Sequence, residues 1–210
     1  MHFKNLTIVD NPFIKRDLTI LRNKNTQPNE FRLALKRISF SLAIAVSQNL
    51  EFAEIKVETP LEITTGYKLK NEVILVPVLR AGLSLVEPFL EMIPDANVGH
   101  IGLQRDEKTL KPVDYYYKTP KFSDKSLTIL LDPMLATGGS ASAAFNFLKE
   151  RGAKKCMLVN LIAAPEGVLK LQNEHPDIPI YTASLDRQLN KNGYILPGLG
   201  DAGDRTFGTI

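Results

Sequence analysis

The hydrophobic positions of this chain follow two different patterns. From Pro28 onward, apolar residues recur at steps of three and four, which places them on one face of a long helix. The residues of this helical pattern are Phe31, Ala34, Leu35, Ile38, Leu42, Ala45 and Val46. Further along, short runs are apolar at every position, as is typical of strands buried on both faces of a parallel sheet. These predicted strands are Val73–Leu79, Val98–Leu103, Leu127–Leu131, Cys156–Ile162 and Ile178–Ala183.

Helical patterns lie between several of the predicted strands. This alternation predicts an α/β fold with a mostly parallel central sheet and helices on both faces. We expect one domain over residues 1–210, with a helical N-terminal segment over about 1–50. Residues 109–120 hold three consecutive tyrosines between two prolines, which favours an extended arm or hairpin over a core strand. The glycine-rich segment over about 190–210 is either a frayed terminus or a ligand-binding loop.

Composition narrows the class of protein. The chain has 210 residues, 44% hydrophobic and 23% charged, which are values of a globular protein rather than a disordered one. Its net charge of +3 is weak evidence for a nucleic-acid partner. No apolar stretch approaches the ~20 residues of a membrane-spanning helix, so we expect a soluble, cytoplasmic protein. The single cysteine, Cys156, excludes an intrachain disulfide, and we expect a buried thiol.

One strand end carries the pattern of a phosphate-binding loop. The predicted strand Leu127–Leu131 is followed at once by Asp132, and then by the tetrapeptide Thr137–Ser140, which contains two adjacent glycines. A helix is predicted to begin near Ser140, and Gly152 is positioned to end it in a left-handed conformation.

This arrangement suits an anion for physical reasons. The first turn of a helix has amide groups without intrahelical acceptors, and the helix dipole adds partial positive charge there. Adjacent glycines let the backbone approach a phosphate closely. Asp132 would repel the phosphate, so we expect it to accept hydrogen bonds from ribose hydroxyls or to hold metal-bound water. The spacing of a nucleoside-triphosphate loop is absent.

Two other predicted strands end in arginine. Arg80 follows the strand Val73–Leu79, and Arg105 follows Val98–Leu103 by two residues. Ligands of α/β sheets bind beyond the carboxyl ends of strands, and arginine binds phosphate with two parallel hydrogen bonds. The residues therefore predict a ligand with one phosphate, a sugar near Asp132 and a second phosphate group near the arginines. Phosphoribosyl pyrophosphate fits that description, as do other bis-phosphorylated sugars.

Three motifs resemble one enzyme family. The segments 132–140 (DPMLATGGS), 76–82 (VPVLRAG) and 193–205 (GYILPGLGDAGDR) are similar to those of the uracil phosphoribosyltransferases. Most of the wider phosphoribosyltransferase superfamily carries two adjacent acids at this strand end. Here Pro133 takes the second place, as is characteristic of the uracil enzymes. The resemblance implies the type I phosphoribosyltransferase fold, with an extended β-arm and a C-terminal hood over the base.

The resemblance also implies roles for individual residues. Arg80 and Arg105 would bind the pyrophosphate side of the donor, with Asp201 nearby. Asp204 and Arg205 belong to the motif, and we expect them to form a structural ion pair. The ribose and 5′-phosphate of the donor would be held by Asp132, Pro133, Met134, Leu135, Ala136, Thr137, Gly138, Gly139 and Ser140. Uracil would be read by Ile195, Gly200, Asp201 and Ala202.

The reaction implied joins uracil to phosphoribosyl pyrophosphate (PRPP), giving uridine monophosphate (UMP) and pyrophosphate. The catalytic candidates are Arg80, Arg105, Asp132 and Asp201, and we expect Mg²⁺ to arrive with the donor rather than on protein ligands. The resemblance further implies a homodimer or homotetramer and a possible GTP effector. Two alternatives stay open, namely an RNA-binding regulator of pyrimidine genes that senses nucleotides, and a purine phosphoribosyltransferase. We expect His2, His100 and His175 to be surface or core residues.

Overall fold

A twisted sheet forms the centre of the molecule. The computed structural model describes residues 3–105 and 112–209, with residues 104, 105 and 112–114 described by their backbone alone. The strands are β1 (Leu6–Ile8), β2 (Phe52–Glu58), β3 (Ile63–Leu69), β4 (Val73–Leu79), β5 (Asn97–Val98), β6 (His100–Arg105), β7 (Pro112–Lys118), β8 (Leu127–Leu131), β9 (Met134–Leu135), β10 (Lys155–Ala163), β11 (Ile180–Leu185), β12 (Gln188–Leu189) and β13 (Ile195–Leu196). The main sheet runs in the order β1-β11-β10-β8-β4-β6-β7. Its neighbours are parallel except for β6 and β7.

Helices cover both faces of this sheet, as the sequence predicts. They are α1 (Pro12–Arg22), α2 (Pro28–Ser47), α3 (Leu83–Met92), α4 (Gly139–Glu150), α5 (Pro165–Glu174) and α6 (Ala202–Phe207). Successive residues of a strand point to opposite faces, so one strand serves two cores. In β4, Val73 and Leu75 pack in a cluster with α1, α2 and α3, whereas Ile74 and Val76 pack in a cluster with α4 and α5.

The observed elements confirm most of the predicted ones and correct others. The strands β4 and β8 have the predicted bounds, whereas β6 and β11 each begin and end two residues later than predicted. The N-terminal segment is not purely helical, because β1 pairs with β11 at the sheet edge. Tyr115, Tyr116 and Tyr117 lie on β7, an antiparallel edge strand, while residues 109–111 of the predicted arm lie outside the described residues.

A two-stranded ribbon stands apart from the main sheet. Strands β2 and β3 pair with each other only, from Phe52 opposite Leu69 to Glu58 opposite Ile63. Large apolar side chains are exposed along it and at its turn. These are Phe52, Val57, Leu61, Ile63 and Tyr67, of which Leu61 is 94% exposed. The sequence pattern did not predict this ribbon.

An ion pair with a buried carboxylate joins α1 to α2. Both carboxylate oxygens of Asp17 accept hydrogen bonds from the Arg37 guanidinium, each at 2.8 Å. The Asp17 side chain is only 1% exposed. Burial acts to raise the pKa of Asp17, but the bonds from Arg37 and Arg16 outweigh it and hold that pKa below its usual value. Asp17 is therefore ionised at neutral pH.

Two of the residues considered in the sequence analysis, Cys156 and His175, lie in the core. Cys156 is buried, and burial raises the pKa of its thiol to about 11, so the thiol stays protonated. His175 is buried against α4, where its ring lies 3.2 Å from the Ser142 hydroxyl. His100 is half-buried on β6, and His2 lies outside the described residues. No helix in the described ranges has the length and apolar character needed to cross a membrane.

Candidate active site

The chain beyond β8 is held in place by its neighbour β10. The Asp132 amide donates to the Val159 carbonyl at 3.1 Å, and the Pro133 carbonyl accepts from the Leu161 amide at 2.9 Å. Met134 then pairs with Ile162 in the short strand β9. The predicted phosphate loop therefore begins as an extension of the sheet, which fixes its starting direction.

Two glycines let this loop pack against helix α5. Gly138 has φ +77°, and a Cβ there would lie 2.9 Å from the Gly167 carbonyl oxygen. A Cβ on Gly167 would lie 2.4 Å from the Ala136 carbonyl oxygen. Real side chains do not approach backbone so closely, so both positions require glycine. The contact sets the distance between the loop and the body of the protein.

The loop ends in the open N-terminus of helix α4. Gly138 precedes the helix and supplies no side-chain cap, and the Ser142 amide makes the first helical bond to the Gly138 carbonyl at 2.9 Å. The Gly139 amide has only a 3.4 Å contact to the Thr137 hydroxyl. Amides at this position, with the helix dipole behind them, form a seat for a phosphate group. Asp132, Thr137, Gly138 and Ser140 line one cavity of about 70 Å³, the loop cavity.

Asp132 is a half-buried acid without a cationic partner among the described residues. Burial raises its pKa to about 7, although a backbone hydrogen bond involving Met134 acts in the opposite direction. A nearby cation would lower that pKa and stabilise the carboxylate. Among the residues that the structure describes, no group of three or more His, Cys, Asp or Glu side chains is arranged to hold a metal ion. The Asp132 carboxylate is an oxygen donor of the kind that Mg²⁺ binds, directly or through water.

Arg80 follows β4 at the same edge of the sheet as the loop. The tight turn after it depends on Gly82, where a Cβ would lie 2.3 Å from the Leu131 carbonyl oxygen at the end of β8. The ends of β4 and β8 are thereby packed together. The Arg80 side chain is 56% exposed, and its guanidinium lies against α6, with Cζ 5.9 Å from the centre of the Phe207 ring.

Asp204 and Arg205 do not pair with each other, contrary to our expectation. Asp204 accepts a hydrogen bond from Arg80 Nη2 at 2.9 Å. The Arg205 guanidinium instead donates to backbone carbonyls, at 2.7 Å to Leu199 and at 2.6 Å to Asn23. The guanidinium reaches these carbonyls because the chain before α6 turns back across the end of α1. Arg205 thus ties the C-terminal segment to α1, and Asp204 ties it to Arg80.

Arg105 is the last residue of β6. Leu79 pairs with Gly102 in the parallel register of β4 and β6, so Arg105 lies beyond the end of β4 at the same edge. Its backbone pairs with Pro112 of β7. Its side chain lies outside the described part of the chain, and its contact with a donor stays a prediction.

The C-terminal segment closes a larger cavity over the loop. This C-terminal cavity has a volume of about 400 Å³ and is lined by Met134 and Ala136 on one side and by residues 192–195 and 197–200 on the other. Such a volume lies within the range of roughly 300–1,000 Å³ usual for small-molecule sites. A Cβ built on Gly193 would lie 3.6 Å from Thr137 Cγ2, so the segment contacts the phosphate loop.

The four predicted base-reading residues do not occupy equivalent places. Ile195 and Gly200 line the C-terminal cavity. Gly200 is exposed with φ +80°, and neither its amide nor its carbonyl has a hydrogen-bond partner within the described ranges. Asp201 instead caps α6, accepting from the Asp204 amide at 2.9 Å. Ala202 is buried in the core beneath it.

Sequence reasoning missed several residues of this region. Asn192 and Tyr194 line the C-terminal cavity beside the predicted residues. Tyr194 belongs to the motif 193–205, whereas Asn192 directly precedes it. Asp186 directly follows β11. Because the sequence pattern predicts that this strand ends at residue 183, Asp186 was not expected at a strand end. Arg22, which contacts Asp186, has no local signal in the sequence.

The fold of the chain is that of a phosphoribosyltransferase. The architecture is shared with a solved purine phosphoribosyltransferase of Pyrococcus horikoshii, at a TM-score of 0.53 and 16% identity over 75% of this chain and 87% of that one. Residues 8–209 match the family model described as uracil phosphoribosyltransferase. The chain belongs to the uracil phosphoribosyltransferase family.

Individual relatives are similar to this chain along nearly its whole length. The chain is 55% identical to the uracil phosphoribosyltransferase of Finegoldia magna, over 97% of this chain and 98% of that protein. It is 53% identical to the enzyme of the same name from Fervidobacterium nodosum, over 97% of this chain and 99% of that protein. A solved Aquifex aeolicus protein has a TM-score of 0.89 at 35% identity, covering 96% of this chain and 97% of that one.

The contact between α5 and the loop predicts the effect of Gly167→Ala. Alanine is favoured over glycine inside a helix by about 1 kcal/mol, so helix propensity alone predicts stabilisation. The 2.4 Å approach to the Ala136 carbonyl predicts the reverse, with the loop displaced and a net loss of about 1–3 kcal/mol. We expect a lower melting temperature and weaker binding of ribose 5-phosphate by calorimetry.

Asn173→Ala is the matched control for this variant. Asn173 is exposed on the same helix, so the substitution raises helix propensity without touching the loop. Its binding of ribose 5-phosphate should equal that of the wild type. If Gly167→Ala behaved like this control, the contact would not set the position of the loop.

Proposed function

We propose that this chain catalyses the transfer of the phosphoribosyl group from PRPP to N1 of uracil, giving UMP and pyrophosphate. The observation that carries the proposal is the arrangement of the cavities. The open N-terminus of α4 and Asp132 share the loop cavity, and Met134 and Ala136 belong to both this cavity and the C-terminal cavity. A phosphorylated sugar in the loop cavity would therefore present its anomeric carbon toward a base in the C-terminal cavity. Membership of the uracil phosphoribosyltransferase family agrees with a sugar and a base placed side by side in this way.

The donor would lie along the edge where the strands end. Its 5′-phosphate fits the amides of Gly139 and Ser140, with the Thr137 hydroxyl as a further donor. Residues 132–136 would follow the ribose. The pyrophosphate would then reach Arg80 and Arg105, whose guanidinium groups suit its geometry. To bind it, Arg80 must exchange Asp204 for phosphate oxygens.

Catalysis in this site would come from position and charge. Breaking the bond between C1 and the pyrophosphate oxygen builds positive charge on the ribose and negative charge on the leaving group. A carboxylate at Asp132 stabilises the positive charge on the ribose. The guanidinium groups of Arg80 and Arg105 stabilise the negative charge on the pyrophosphate. Mg²⁺ bound with the donor would supply further positive charge to the pyrophosphate, with Asp132 holding it through water.

The base would be oriented by backbone groups of the C-terminal segment. The free amide and carbonyl of Gly200 are suited to the polar edge of uracil, while Ile195 contacts its ring. Uracil N1 must lose a proton as the new bond forms. Asp201, an exposed carboxylate at the start of α6, is the group proposed to orient or accept it, and Ala202 fixes the backbone there.

An assay with labelled bases tests the activity. The protein is mixed with Mg²⁺ and PRPP, and with radiolabelled uracil, adenine, hypoxanthine or guanine in separate tubes. We expect labelled UMP from uracil and no nucleotide from the purines. Nucleotide from a purine alone would establish the purine enzyme instead. No product from any base, together with salt-dependent RNA binding, would establish the regulator.

The raised pKa of Asp132 predicts a pH dependence. Because the free enzyme holds this proton up to about pH 7, the carboxylate is depleted as the pH falls below that value. We expect kcat/KM for PRPP to fall about tenfold per pH unit below this point in the wild type. Asp132→Asn should lower kcat/KM by about 100-fold at pH 8 and lack this acid limb.

Comparing the pH profiles of the wild type and Asp132→Asn separates the titration of the enzyme from the titration of its substrate. Phosphate groups of PRPP also titrate, and their contribution is common to both proteins. The acid limb assigned to Asp132 is the difference between the wild type and Asp132→Asn. Parallel profiles would show that Asp132 is not the titrating group.

The proposal extends to assembly, regulation and location. A two-stranded ribbon is marginally stable alone, and β2 and β3 expose apolar side chains that water does not favour. We propose that a second copy of this chain covers the ribbon, in a homodimer or a tetramer of such dimers.

GTP as an effector is tested by adding it to the uracil assay. A cytoplasmic location agrees with a single cysteine that is buried as a free thiol.

Charged substitutions in the ribbon test the assembly. Leu61→Lys combined with Ile63→Lys places two charges in the proposed contact, where desolvation would be costly. We expect light scattering to find an oligomer for the wild type and a smaller species for the variant. Leu169→Lys, on the exposed face of α5, is the control and should assemble normally. A monomeric wild type, or an unchanged double variant, would refute the ribbon contact.

A further inference from the structure

A buried ion pair lies behind the C-terminal segment. Arg22, the last residue of α1, donates to both carboxylate oxygens of Asp186, at 2.7 Å from Nη1 and 2.6 Å from Nη2. Ser184 adds a hydrogen bond to the same carboxylate at 2.8 Å. The Asp186 side chain is 2% exposed and that of Arg22 is 25% exposed. The pair is therefore shielded from water at its acidic end.

Both partners also bind the backbone of Gly198. Arg22 Nη1 donates to the Gly198 carbonyl at 3.0 Å, and the Gly198 amide donates to Asp186 Oδ2 at 2.9 Å. Both polar groups of this residue are thus held by one ion pair. Gly198 has φ +65°, and a Cβ there would lie 2.2 Å from the Ile195 carbonyl oxygen. Only glycine fits this tight turn, whose position the ion pair determines.

Gly198 lies in the wall of the cavity proposed for the base. It lines the C-terminal cavity together with Ile195, Leu199 and Gly200. On its other side lies a second cavity of about 360 Å³, lined in part by Arg22 and Arg205. The segment is therefore a thin backbone wall with arginine side chains behind it. A shift of Gly198 would move the Gly200 amide and carbonyl with it.

We propose that Arg22 and Asp186 are positioning residues that hold this wall in the conformation that binds uracil. The inference rests on the proposed function of the C-terminal cavity. Neither side chain lines that cavity, so their effect passes through Gly198.

The chemistry of the pair explains why arginine is required. A guanidinium has donors in a fixed planar fork, so it can bind a carboxylate with two bonds and a carbonyl with a third. A lysine ammonium keeps the charge but not this geometry. Burial acts to raise the pKa of Asp186, yet the bonds from Arg22, Ser184 and Gly198 outweigh it and hold the pKa below its usual value. The carboxylate is therefore available to Gly198 throughout the neutral range.

The chain contains a matched control for this pair. Arg37 and Asp17 form another pair with two hydrogen bonds and a buried carboxylate, between α1 and α2 and away from both cavities. Arg37→Lys removes the same fork from a pair that has no contact with the C-terminal segment. Asp17 keeps its bonds from Arg16 in this variant, so Arg37→Lys reports the loss of a guanidinium fork away from both cavities without leaving a carboxylate unpaired.

The test compares Arg22→Lys with Arg37→Lys in steady-state kinetics and thermal unfolding. For Arg22→Lys we expect KM for uracil to rise about tenfold or more while KM for PRPP stays within about twofold. For Arg37→Lys both KM values should stay within about twofold of the wild type, whatever its melting temperature. Asp186→Asn, which weakens the pair from the other side, should repeat the selective rise and serves if Arg22→Lys does not fold.

The outcomes distinguish the inference from the function on which it rests. A wild type that makes no UMP would refute the proposed function itself. An active wild type with an unchanged KM for uracil in Arg22→Lys or Asp186→Asn would refute the positioning role alone. An equal rise of both KM values, or the same rise in Arg37→Lys, would also refute it, because that is the signature of a general loss of structure.

Discussion

The parallel pairing of the central strands is the constraint on which the site depends. Because β4, β8, β10 and β11 run in the same direction, their carboxyl ends lie at one edge of the sheet. The residues that follow these ends are Arg80, Asp132, Ala164 and Asp186. Close backbone contacts then lock the turns to one another, as where Gly82 approaches Leu131 and Gly167 approaches Ala136. These contacts leave little room for the turns to shift relative to one another.

Much of this arrangement was predictable from the sequence. The strands β4 and β8 are apolar on both faces, so their bounds follow from composition alone. The acid and the two glycines after β8 carry their own physical signal, because few other functions require an open helix N-terminus beside a strand end. Asp132 and residues of the loop line one cavity, although the sequence places Asp132 apart from the phosphate itself. The C-terminal segment that lines the larger cavity could be assigned to a site only through its resemblance to a family.

The parts that escaped prediction depend on contacts between distant residues. Arg22 and Asp186 lie 164 positions apart, and no local pattern joins them. The same holds for Asp204, whose partner is Arg80 rather than its neighbour Arg205. The ribbon of β2 and β3 escaped for another reason. Its apolar residues are exposed rather than turned to a core of this chain, so they follow neither the buried-strand pattern nor the helical one.

The glycine-built wall of the C-terminal cavity has a consequence for changing which base is accepted. Gly198 and Gly200 present backbone alone, and Gly198 tolerates no added atom. With a base in this cavity, as proposed, redesign of base preference falls to the side chains that line the rest of it, namely Met134, Ala136, Asn192, Tyr194, Ile195, Pro197 and Leu199. Met134 and Ala136 also belong to the phosphate loop. On the proposed function, the freedom to evolve a new base preference therefore rests with the side chains of the C-terminal segment, whose change of shape leaves the loop cavity intact.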